Sequence, residues 1–82
     1  MITVTTEGRP WDDPSAAWTP TTHGPVADPL VALQMISAAD AAENTRPASW
    51  RADSEAEAET LRAMLSRRPR LAYVVDMEQR RA

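Results

Sequence analysis

Eighty-two residues allow one domain at most, and a chain this short buries only about 60% of the surface it exposes when unfolded. Hydrophobic residues make up 43% of it, but fifteen of them are alanines; Leu, Ile and Val number twelve and Phe is absent, below the roughly 20% expected of a self-sufficient globular chain. A net charge of −3 lacks the self-repulsion typical of full disorder, the absence of cysteine excludes disulfides, thiolate metal sites and cysteine nucleophiles, and the longest run without a charge or proline, Leu30 to Ala39, is far short of the ~18 to 20 residues of a membrane span.

Met1-Ile2-Thr3-Val4 has neither the basic region nor the apolar block of a signal peptide, so a cytoplasmic protein is the expectation. All nine basic residues are arginines, which together with the abundant Ala, Pro and Asp reads as the coding bias of a GC-rich bacterium or its phage. Ile2 and Val4 alternate with threonines and predict a short strand over residues 2–6. Residues 7–28 hold four prolines and both glycines and predict an extended proline-rich arm, with one helical turn where Asp13 caps Pro14-Ser15-Ala16-Ala17-Trp18.

Asp28-Pro29 repeats that start signal and opens a helix over about 29–43. Val31, Met35, Ala38 and Ala42 form one stripe of it, while Leu33 and Ile36 fall on the other side, so both sides call for burial. Asn44-Thr45-Arg46-Pro47 ends it. A second helix spans about 54–68: Ser54 and Glu57 make a capping box, Ala58, Leu61, Met64 and Leu65 share a face, and Pro69 stops it. Leu71-Ala72-Tyr73-Val74-Val75 predicts a strand over about 70–76, pairing with residues 2–6; a C-terminal helix through Gln79 competes with it. The fold expectation is thus a small α+β unit, mainly helical, with the arm at 7–28 and a helical core at 29–82 that ends in a strand.

Residues 1–60 carry a net charge of −7 and residues 61–82 a net +4. Arg67, Arg68 and Arg70 surround the end of the second helix, and Arg80 and Arg81 follow, so five guanidinium groups are candidates for phosphate contact. The plainer reading has them complement the helix C-terminus and pair with glutamates. Catalysis is poorly supplied: His23, in the proline-rich stretch, is the lone histidine, and Asp12-Asp13 and Glu55/Glu57/Glu59 read as a cap and a solvated face. No ligand spacing predicts a metal, and no glycine-rich loop predicts a nucleotide, so no cofactor is expected.

Trp11, Trp18 and Trp50 are the informative residues, because each indole can bury 150 to 250 Å². Either they complete the thin core from within or they anchor in a partner's pockets. The functional expectation is a non-enzymatic interaction protein, an accessory subunit or a phage- or host-encoded modulator, that docks on a larger protein or associates with itself. Trp11 and Trp18 are its anchors, Asp12 and Asp13 its rim, and Val31, Met35 and Ile36 its helix contacts. The runner-up is a small nucleic-acid-associated regulator, as a homodimer that pairs its strands, and no membrane is expected as partner.

Overall fold

The computed structural model describes residues 1–79. Strand β1 (Ile2–Gly8) lies in the middle of a three-stranded antiparallel sheet, with β2 (Thr19–Val26) on one side and β3 (Thr45–Ala52) on the other. Helix α1 (Pro29–Ala41) links β2 to β3, and α2 (Glu55–Ser66) and a 3-10 helix (Ala72–Met77) follow. Helix accounts for 39% and strand for 30%, so the fold is α+β with an even balance, and the expectation of a mainly helical protein is wrong. Both missed strands lie at sheet edges and contain proline, which removes a backbone donor without breaking the central strand's pairing.

The proline-rich arm is therefore no arm. Threonines favour an extended chain, and Thr19 to Val26 pairs with β1 from Gly8 back to Ile2. Between Ile2 and Val4 the register slips so that Gly24 and Pro25 bulge; Gly24 has φ +100°, and a Cβ there would lie 2.9 Å from the Ile2 carbonyl. A second irregularity lies opposite Thr5 and Thr6 and leaves Ala48 unpaired beside Pro47.

Alternation along β1 divides the sheet into two faces. Ile2, Val4 and Thr6 point into the core, and Thr3, Thr5 and Glu7 do not. The helices cover the inner face, where Ile2, Val4, Ala32, Leu33, Ile36, Trp50, Ala58, Leu61, Leu65, Leu71 and Val74 form one cluster. Asp28 caps α1 by accepting from the Leu30 amide at 2.9 Å, with Pro29 in the first turn. The helix ends at Ala41, and Asn44, at φ 58°, turns the chain into β3. Ser54 caps α2 as its sequence predicts, and its partner Glu57 also accepts from the Met1 ammonium at 2.6 Å.

No strand forms at 70–76, because β1 is already paired on both sides. Leu71, Val74 and Met77 instead recur every third residue, the period of a 3-10 helix, which buries Leu71 and Val74. Trp50 fixes this segment: its side chain is 1% exposed, and its indole N–H donates to the Val74 carbonyl at 2.9 Å. Beyond the 3-10 helix, the Gln79 amide donates to the Trp50 carbonyl at 2.7 Å. Arg62 adds a clamp from α2, donating twice to Glu78 at 2.6 and 3.2 Å and once to Glu55 at 2.9 Å.

Trp50→Ala is expected to cost about 3–5 kcal/mol, enough to unfold a chain of this size at room temperature. Trp50→Phe keeps most of the volume but removes the indole donor to the Val74 carbonyl, and about 0.5–1.5 kcal/mol is expected from that bond. Urea titration followed by circular dichroism checks both.

Candidate interaction surface

The residues between β1 and β2 form a loop with internal bonding. The Arg9 amide donates to the Asn44 carbonyl at 3.0 Å and fastens the loop's first residue to the turn before β3. Pro10 to Asp13 makes one turn, closed by Asp13 N–H to Pro10 O at 3.3 Å, and Asp13 to Ala16 makes the next at 3.1 Å. The Asp13 carboxylate accepts from the Ser15 amide at 3.2 Å and its hydroxyl at 2.7 Å, and those bonds hold its pKa below the usual aspartate value. The predicted helical turn is thus a pair of tight turns, with Asp13 bonding the residue after Pro14 much as a cap would.

At the loop's base, the Arg9 and Arg46 guanidinium groups stack on the Trp18 ring, 4.4 and 4.0 Å from its centroid. Arg9 also donates to the Pro14 carbonyl at 2.8 Å, and Arg46 pairs with Glu7 at 3.0 Å. Trp18 is half-buried by these contacts, which makes it a brace for the loop. Trp11 occupies the corner of the first turn and is 81% exposed. Asp12 and Asp13 beside it are exposed as well. The three indoles have therefore separated: Trp50 completes the core, Trp18 braces the loop, and Trp11 does neither.

The other predicted contacts divide in the same way. Ile36 is fully buried against the sheet, so it is part of the core and not available to a partner. Met35 is half-buried, while Val31 is 36% and Leu30 46% exposed. Leu30 was missed because it follows Pro29 at the very start of the helix, outside the stripe that the spacing singled out. Arg67 and Arg68 are exposed and border a groove of about 450 Å³ floored by Leu30, Leu33 and Met64. Arg70 joins them along a neighbouring groove of about 290 Å³ that Ser37 and Asp40 also line. None of these three arginines pairs with a carboxylate among the described residues, so pairing with the glutamates does not explain them. Arg80 and Arg81 lie outside the described residues.

His23 is not a loop residue: it lies in β2, half-buried, with Nε2 2.9 Å from the Thr6 hydroxyl. Thr6 is itself buried, and the surroundings are Met35, Ala38, Ala39 and Ala42; among the described residues no carboxylate bonds the imidazole. Among the described residues no cluster of three or more His, Asp or Glu side chains is arranged to hold a metal, and no helix is long and apolar enough to cross a membrane. Tyr73 donates to Asp40 at 2.7 Å; burial and then this carboxylate push its pKa up to about 12.

No protein-family model, curated protein or solved structure matches the chain.

Two spectroscopic outcomes are expected. Trp11→Ala shifts the tryptophan emission to shorter wavelength and lowers its quenching by iodide, because the most hydrated of the three indoles is gone. Absorbance at ~295 nm titrates the single tyrosine with a midpoint near 12, and Asp40→Asn moves it only part of the way back toward 10, because the larger cause, burial, remains. The neutral phenol is the form the fold favours, so its contribution to stability is complete below about pH 10 and is lost as pH rises through 12.

Proposed function

We propose that this chain is a non-enzymatic interaction protein whose docking element is the loop between β1 and β2, with Trp11 as anchor and Asp12 and Asp13 as a charged rim. One observation carries the reading: an indole that is 81% exposed is held at the corner of a hydrogen-bonded turn. Leaving 150 to 250 Å² of aromatic surface in water forgoes several kcal/mol of burial, on the order of 25 cal/mol per Å². Ordering the loop before contact lowers the entropy cost of binding, which suits a docking element and does nothing for an idle loop. A cytoplasmic accessory subunit or modulator, of bacterial or phage origin, fits this reading.

The second reading, a nucleic-acid-associated regulator, draws on Arg67, Arg68 and Arg70, which have no carboxylate partner among the described residues. Apolar Leu30 and Met64 between them suit a protein ligand better than a phosphate backbone. Dimerisation through paired strands is disfavoured at β2, where Pro20 and Pro25 interrupt the donors of the free edge.

Affinity capture from lysate of the source cell tests the first reading. The wild-type protein is expected to retain a specific partner that Trp11→Ala, folded by circular dichroism, loses by at least about tenfold, since truncating such an anchor costs ~2 kcal/mol or more. Equal capture by both proteins contradicts the role of the loop. Binding to a DNA or RNA oligomer that weakens steeply with salt favours the second reading instead.

A further inference from the structure

The anchor and a receptacle of matching chemistry are present in the same chain. Trp11 is followed by two exposed aspartates, and Asp12 has no partner among the described residues. The groove between α1 and α2 presents Leu30, Leu33 and Met64 below, and Arg67 and Arg68 at its rim, in about 450 Å³. An indole fits that volume, and the two arginines without carboxylate partners are the complement of two aspartates.

The match is not made within the chain, since Trp11 is 81% exposed and neither Arg67 nor Arg68 pairs with a carboxylate among the described residues. Ile2 pairs with Val26 and Gly8 with Thr19, so the loop leaves one end of the sheet and α1 begins three residues beyond the other, about 20 Å away. Arg9 is fastened to Asn44, and two residues of extended chain carry Trp11 only about 7 Å further.

Resting on the docking role of the loop, we propose that its occupant is a second copy of this chain: Trp11 of one protomer enters the α1–α2 groove of another, and Asp12 and Asp13 meet Arg67 and Arg68. The molecule is elongated, 41 Å by 26 Å by 20 Å, and the loop and the start of α1 lie beyond opposite ends of the sheet. Two copies laid antiparallel make both contacts at once, and the assembly closes as a two-fold dimer. The pairing also uses the opposite charges of the two parts of the chain, net −7 before residue 61 and net +4 after it.

Sedimentation velocity of the full chain from micromolar to millimolar concentration tests this. The wild type is expected to pass from monomer to dimer, while Trp11→Ala and the pair Arg67→Glu, Arg68→Glu, each folded by circular dichroism, weaken the dimer by at least about tenfold. Adding Asp12→Arg to the Arg67→Glu, Arg68→Glu pair restores opposite charges at both contacts of the two-fold dimer and is expected to recover part of the affinity that the pair loses. A wild type that stays monomeric throughout, a Trp11→Ala protein that dimerises like the wild type, or a charge-swapped chain that dimerises no better than the arginine pair overturns the proposal. Should the dimer fail while Trp11-dependent capture of another protein holds, the self-association alone is wrong; loss of both removes the docking role as well. A variant pair that does not fold is replaced by Asp12→Arg, which changes only an unpaired surface charge and is expected to weaken the dimer in the same direction.

Discussion

Burial of the Trp50 side chain is the constraint on which the rest of this small structure depends. Its ring lies in the core cluster on the helix-covered face of the sheet, its N–H donates to the Val74 carbonyl, and its own carbonyl receives the Gln79 amide. A chain with twelve Leu, Ile and Val residues has little else with which to join its last segment to the sheet. Without the indole, Leu71 and Val74 would cover a void, and the Arg62 clamp on Glu78 would hold a segment with nothing beneath it.

This economy sets the surface apart from the core. The helices cover one face of the sheet, and the loop at its end takes no part in that packing. Its order comes instead from two turns, the Asp13–Ser15 bonds and two guanidinium groups stacked on Trp18. The core thus depends on Trp50, and the exposed Trp11 can change without a cost to folding.

The parts legible in sequence were those with local causes. Asp28-Pro29 and Ser54/Glu57 mark helix starts through side-chain bonds to nearby amides, and both appear where expected. The Ile2/Val4 alternation likewise reports a strand half-covered by helices. What was not legible depended on position in the sheet. Pro20, Pro25 and Pro47 read as strand breakers, yet an edge strand has one side with no partner to lose. The run from Leu71 to Val75 reads as a strand by its apolar density, yet its threefold period fits a 3-10 helix and β1 has no free side to offer it. In the candidate surface, the sequence context alone marks Trp11 and Trp18 equally as candidates. Their separation from each other and from Trp50 required the fold, since nothing local distinguishes an indole that will be buried from one that will not.

Hydrogen exchange of the three indole N–H groups, followed by NMR, tests that separation most directly. The account predicts one slow indole, Trp50, exchanging only when the whole molecule unfolds, and immediate exchange at Trp11 at low concentration. Three indoles exchanging at one common rate would contradict it, since the fold would then not distinguish the ring that builds the core from the ring that is left in solvent.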